Sequence, residues 1–207
     1  MGKKNIAYDY LKNGIINNLF KPGEPLSENS ITNDINISTT PIREAIQKLE
    51  EEGFVEIIPR RGAFVSRISP NDIKDIFVVR EIIEIGSIGF AIKKMDKNKL
   101  KRLRKRLVSG SKKITQKNEN YKYADDIHLY ILECTGNQRL FQLYTKLLDH
   151  ILRIRNQLYY HDTNPSFQSF AEHIEIVDAL LAEDQLKAEN AVRRHLKNSY
   201  DRFSQGL

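Results

Sequence analysis

Residues 26–49, LSENSITNDINISTTPIREAIQKL, constrain the fold more than any other part of the chain. Ile31 and Ile35 stand four apart, on one face of a short helix. Ile42, Ala45, Ile46 and Leu49 follow the i, i+3, i+4, i+7 rule of a second helix. Ser38, Thr39 and Thr40 sit just before it, where a hydroxyl can accept a bond from an unpaired backbone N–H. Pro41 suits the first helical turn, because its missing N–H is not needed there. Two apolar-faced helices joined by a tight turn make a helix-turn-helix, whose second helix can enter a DNA major groove.

The flanking residues extend this unit. Residues 8–20 predict a helix with Leu11, Ile15, Ile16 and Leu19 as its apolar stripe, ended by the breakers Lys21-Pro22-Gly23. Ser27 is a plausible N-cap, with acidic Glu28 in the first turn behind it. Gly53 is placed to end the second helix. Residues 54–58 and 63–66 then read as short strands around the basic turn Pro59-Arg60-Arg61-Gly62. Helices followed by such a ribbon form a winged helix.

From Ser69 onward no convincing strand is found. Ser69-Pro70-Asn71-Asp72 opens a helix that runs to about Lys94. Asp96 caps a helix over residues 97–113, dense in Lys and Arg but with leucines on one side, which reads as a solvated outer face. Helices over 118–134, 137–160, 165–182 and 184–203 follow. The expected fold is mostly α: a winged helix-turn-helix over residues 1–68, then an all-α six-helix bundle over 69–207.

Composition adds exclusions. The chain has 207 residues, 40% of them hydrophobic, which is enough for a core. No stretch approaches the roughly 20 apolar residues of a membrane span. The polar N-terminus resembles no signal peptide, and the single Cys134 rules out an intrachain disulfide or a CxxC site. A soluble, cytoplasmic protein is expected. The net charge of +6 invites a nucleic-acid reading, but residues 1–68 carry nine Lys/Arg against nine Asp/Glu. DNA binding must therefore rest on local placement rather than on net charge.

That placement exists. Ser38, Thr39 and Thr40 at a helix N-terminus can hold a phosphate. Arg43, one turn in, can address a guanine edge. Arg60 and Arg61 mark the wing tip. Singly, these features fit an ordinary capped helix with solvated arginines; in this order they point to DNA. In the bundle, His128, His173 and His195 fall on the third, fifth and sixth helices, and three imidazoles suit Zn²⁺, Ni²⁺ or a related divalent ion. Asp125 shares a face with His128. Periodicity alone favours the ordinary reading of surface or core-satisfied histidines.

The motifs resemble a known family. Pro22-Gly23 with Leu26-Ser27-Glu28, then residues 37–46 (ISTTPIREAI), 49–55 (LEEEGFV) and 60–65 (RRGAFV), look like the winged helix of GntR-type bacterial transcription regulators. The likeness covers residues 6–67. It implies phosphate and base contacts at Asn29, Ser38, Thr39, Thr40, Arg43, Arg61 and Gly62. Thr39 and Asn29 stand where the family often has Arg. Residues 75–84 (DIFVVREIIE), 126–137 (DIHLYILECTGN), 172–180 (EHIEIVDAL) and 193–196 (RRHL) resemble the FCD ligand-sensing domain, with six helices as in its VanR-like branch. That resemblance implies a metal on one Asp and three His: Asp125, His128, His173 and His195. The usual Asp position is Ala124, and Asp125 lies about 100° around the helix from it. Arg80 matches the Arg of the family's first-helix pattern and would hold a small carboxylate effector; the alternative is a buried ion pair with Glu84. The resemblance implies a dimeric, ligand-responsive DNA-binding regulator, read as a repressor and not an enzyme, with Zn as the first choice of metal. The rival readings are a metalloregulator sensing the ion itself and a metal-dependent enzyme.

Overall fold

The computed structural model describes residues 2–111, 122–158 and 167–204, without the side chains of residues 122–125, 158 and 167–168. The ends expected at residues 113, 118, 160 and 165 lie outside the described residues. The chain divides into two units.

The first unit comprises Met1–Ser69 together with Leu152–Gln157. Its order is α1 (Lys3–Ile16), α2 (Glu28–Ile35), α3 (Thr39–Glu51), β1 (Val55–Ile58) and β2 (Gly62–Val65). The apolar positions read from the sequence meet in one core: Leu11, Ile15, Ile31, Ile42, Ala45, Ile46 and Leu49 are all buried, with Phe54 and Val65 closing it from the ribbon side. Ser27 caps α2 by accepting the Ser30 N–H at 3.3 Å. Asn36 turns the chain through a left-handed residue, φ 53°, into α3. At the other end Gly53 takes φ 78°, which an L side chain resists. The Phe54 N–H then reaches the Leu49 carbonyl at 2.9 Å and the Gly53 N–H reaches that of Glu50 at 2.9 Å. This double bond pattern stops the helix and drops Phe54 into the core. The ribbon is antiparallel, with Val55 opposite Val65 and Ile58 opposite Gly62.

The first helix differs from the sequence expectation. It begins at Lys3 and ends at Ile16, four residues before Phe20. Asn18 adopts φ 59°, and the Phe20 ring folds back over Gly14, where an added Cβ would lie 2.4 Å from a ring carbon. Tyr10 meets that ring edge-on at 5.8 Å. Leu19, expected on the apolar stripe, is 75% exposed. The 3.6-residue period alone does not reveal this turn. Burying Phe20 on a glycine is a contact that only the turn allows.

The second unit comprises Pro70–Ile151 and Leu158–Leu207. Its helices are α4 (Pro70–Ala91, with a 3-10 turn over Ile92–Lys94), α5 (Lys97–Ser111), α6 (Lys122–Thr135), α7 (Gln138–Leu158), α8 (Phe167–Leu181) and α9 (Gln185–Ser204). These are the six expected helices of an all-α domain. Carboxylate or amide caps start three of them: Asp96 accepts from the Asn98 N–H, Asn137 from Leu140 and Asp184 from Lys187. On α5 the leucines at 100, 103 and 107 are buried while Lys101, Arg102, Arg104, Lys105 and Arg106 face solvent. Helix α4 packs on α9 and α6, and α8 packs on α9 and α5. The core stripe of α4 is Ile73, Phe77, Arg80, Glu84, Ser87, Ile88 and Ala91. Two charged residues thus occupy a face that is otherwise uncharged. Among the described residues, no helix is long and apolar enough to cross a membrane.

The helix-terminating glycine and the core leucine before it make separable contributions. Gly53→Ala should lower the unfolding free energy by about 1–2 kcal/mol through left-handed strain. Leu49→Ala should lower it by about 2–5 kcal/mol through the cavity it leaves. Urea titration of each variant measures both; equal effects would contradict this division.

Candidate metal centre and DNA-reading face

The start of α3 presents groups suited to an anion. Ser38 is the N-cap, yet its side chain makes no capping hydrogen bond, unlike that of Ser27. Ser38 and Thr40 are exposed and Thr39 is half-buried. Hydroxyls and backbone N–H groups at this terminus match the needs of a phosphate. Arg43, one turn on, is exposed, and its Nε donates to Glu28 Oε2 at 2.7 Å across the helix-turn-helix. That bond ties down one edge of the guanidinium and does not use its terminal N–H groups. Asn29 is exposed at the start of α2. At the wing tip Arg60 takes φ 64° and Gly62 φ 100°, and the exposed Arg61 guanidinium lies 5.7 Å from the Phe64 ring centre.

The bundle brings the three predicted histidines together. His128 from α6, His173 from α8 and His195 from α9 are all buried, and one ligand atom from each lies within 4.8 Å of the others. The His128 and His173 Nε2 atoms are 3.1 Å apart. Asp125 is on α6 one turn before His128, and its side chain is not among those described. Arg80 is buried and donates through Nε to Glu84 Oε1 at 2.8 Å. The ion pair posed as one alternative is therefore present.

Hydrogen-bond accounting assigns the proton on each ring. His128 Nδ1 is 2.6 Å from Glu84 Oε2. His195 Nδ1 is 2.9 Å from Glu172 Oε2. His173 Nδ1 is 2.5 Å from the Ser169 carbonyl oxygen. All three partners can only accept, so each Nδ1 carries the hydrogen. Each Nε2 can then offer a lone pair wherever the ring carries no second proton, and those of His128 and His173 face each other. Two of them 3.1 Å apart repel unless a proton or a metal cation lies between. A tetrahedral zinc with bonds of 2.0–2.1 Å sets neighbouring nitrogens roughly 3.3 Å apart, close to this spacing.

The electrostatics of the site disfavour the proton on two of the rings. Burial, with the charge of nearby His128 and Arg80 added, holds His195 at about 4 despite its bond to Glu172. Burial and the neighbouring imidazoles push His173 well below its ordinary value. Burial alone would raise the two carboxyls. Arg80, His128 and the Tyr144 hydroxyl more than offset it at Glu84, holding that group below the usual carboxylate range. Bonds from His195, Arg202 and Asn198 bring Glu172 to about 2. Tyr144 Oη donates to Glu84 Oε1 at 2.6 Å. Sequence reading missed Tyr144, Ser169, Glu172, Asn198 and Arg202. A signal existed in α9, where His195, Asn198 and Arg202 follow one another at i, i+3, i+7 on a single stripe.

Family models match both parts of the chain. The family described as bacterial regulatory proteins, gntR family, matches residues 3–65, and the FCD domain matches residues 75–198. An uncharacterized HTH-type transcriptional regulator from an unstable DNA locus of Streptomyces ambofaciens is 30% identical over 180 residues, 87% of this chain and 76% of that protein. The HTH-type transcriptional repressor RspR of Escherichia coli (strain K12) is 27% identical over 192 residues, 92% of this chain and 84% of that one. Among solved structures, E. coli McbR/YncC superposes with a TM-score of 0.81 over 99% of this chain and 98% of its own at 17% identity, a likeness of fold. The chain thus belongs to the GntR family of bacterial regulators that carry an FCD domain, and it is a DNA-binding transcription regulator rather than an enzyme.

Proposed function

We propose that this regulator is a cytoplasmic, dimeric, ligand-responsive repressor whose bundle holds a divalent metal ion, zinc first, on His128, His173 and His195. The convergence of one ligand atom from each of three buried histidines, within 4.8 Å of one another, carries the reading. Asp125, on α6 one turn before His128, is the candidate fourth ligand. Three neutral imidazoles would leave the ion strongly positive, and Arg80 is held on the inward stripe of α4 by its bond to Glu84. Such a centre favours an anion, and a small carboxylate held by the ion and Arg80 is the effector class that fits. The histidines are 1–3% exposed, so entry of an effector requires the helices around them to part. Binding that favours one arrangement over another shifts the population between them, which is what a switch requires. Repression is supported by relatives named as repressors, RspR of Escherichia coli and NanR of Cronobacter sakazakii.

The homodimer has a physical basis on α4. Val78, Ile82 and Phe90 are exposed, at 48%, 68% and 72%, and they share a stripe with Gly86 at four-residue intervals. An added Cβ at Gly86 would meet nothing. An apolar helix face with a gap at its centre suits a second copy of the same face. Two copies would bring two α3 helices to half-sites about one DNA turn apart.

The central test loads the full-length protein with Zn²⁺ and titrates small organic acids against operator affinity. His173→Ala and His195→Ala should each abolish stoichiometric zinc and the acid response; unchanged metal content and response would sink the sensing half. A response to metal alone, with acids inert, would replace it with direct metal sensing. Arg43→Ala should weaken specific DNA binding by roughly 1–3 kcal/mol in a binding isotherm. Ile82→Glu should convert dimer to monomer in light scattering. Acid should also destabilise the metal-free protein. Unfolded histidines protonate near 6.5 while His195 resists to about 4, so stability is lost as pH falls through that window. Thermal melts at pH 7 and pH 5 should show it, with a smaller gap in His195→Gln.

A further inference from the structure

Each of two histidines in the centre faces a carboxylate that is itself held from behind. Glu84 Oε2 takes the His128 Nδ1 hydrogen, while Glu84 Oε1 accepts from Arg80 at 2.8 Å and Tyr144 at 2.6 Å. Glu172 Oε2 takes the His195 Nδ1 hydrogen, while Arg202 bonds both Glu172 oxygens at 3.1–3.2 Å and Asn198 bonds Oε1 at 2.8 Å. The third ring, His173, relies on a backbone carbonyl of its own helix. Glu84 and Glu172 are 0% and 6% exposed. Neither contributes a ligand atom to the three-histidine cluster, whose inward-facing atoms are the ring nitrogens.

From this arrangement we infer that Glu84 and Glu172 are positioning residues: each locks one metal-facing imidazole in the Nδ1–H form and aims its Nε2 at the ion, and each is cancelled in charge by its own arginine. The inference rests on the metal reading proposed above and deepens it. A carboxylate behind a histidine fixes the tautomer and orientation of the ring and raises its basicity as a ligand. The arginines complete the device. A bare buried carboxylate would carry a heavy desolvation penalty and would offset part of the charge of the ion. Paired with Arg80 and Arg202, the two carboxylates orient the rings while the positive charge stays at the centre, where an anionic effector needs it.

The test uses full-length protein and two readings. Zn²⁺ affinity is measured by competition with a chromophoric chelator, and ring tautomers are read from long-range ¹⁵N–¹H spectra of the metal-free protein. Glu172→Gln should weaken Zn²⁺ about 10–100-fold and leave His195 a mixture of tautomers, with His173 unchanged. Glu84→Gln should do the same at His128. Because Glu84→Gln leaves Arg80 buried without its charge partner, the double variant Arg80→Met, Glu84→Gln serves as its folded counterpart, checked by circular dichroism. Affinity within twofold of wild type, with both rings still Nδ1–H, would overturn the positioning role. Wild-type protein that takes up no Zn²⁺ would instead defeat the metal reading, and the tautomer spectra would still decide the role of the carboxylates.

Discussion

Two imidazole nitrogens held 3.1 Å apart, each with its own ring proton committed elsewhere, are the constraint around which the bundle is arranged. Lone pairs do not approach so closely without a positive species between them. To hold them there, the fold uses five helices and several polar bonds. Glu84 on α4 reaches His128 on α6 and receives Tyr144 from α7. Glu172 on α8 is gripped by three residues of α9. These bonds lie where a helical bundle would ordinarily place leucines. Burying this much polarity is unfavourable unless every member is satisfied, and here the chain supplies each named carboxylate with several donors.

The two units use charge in opposite ways. In the bundle, charge is buried and paired, Glu84 with Arg80 and Glu172 with Arg202. In the winged helix the balance of basic and acidic residues is even. Net charge therefore gives no account of DNA binding there, and the proposed contacts rest on where donors stand. The N-terminus of α3 supplies uncapped hydroxyls and backbone N–H groups, and Arg43 is tied by Glu28 at the edge nearest α2. A tied guanidinium loses less freedom on meeting a base than a loose one. An even charge balance also limits sequence-independent attraction to phosphate, which leaves more of the discrimination to specific contacts.

Helix α4 presents two unlike stripes. One stripe turns Arg80 and Glu84 inward to the histidines. Another leaves Val78, Ile82 and Phe90 outside with glycine between them. Under the metal and dimer readings proposed above, one helix would carry both the binding centre and the association face.

The sequence by itself determined the local elements and their class. Apolar spacing in α2 and α3, the serine cap, the glycine stop at Gly53 and the acidic cap at Asp96 act within a few residues, so they are visible in order along the chain. The histidines were visible as candidates, because residue type and helix assignment need no third dimension. Tertiary structure alone decided the rest. The early end of α1 depends on Phe20 finding Gly14, and the closeness of His128 to His173 depends on how helices cross. The identities of Glu84, Glu172, Tyr144 and Arg202 as partners depend on the same packing. Hydrogen bonds and lone-pair repulsion act over about 3 Å, whereas the residues involved stand tens of positions apart. Local periodicity carries no information about such distances, and only the packed core brings them within reach.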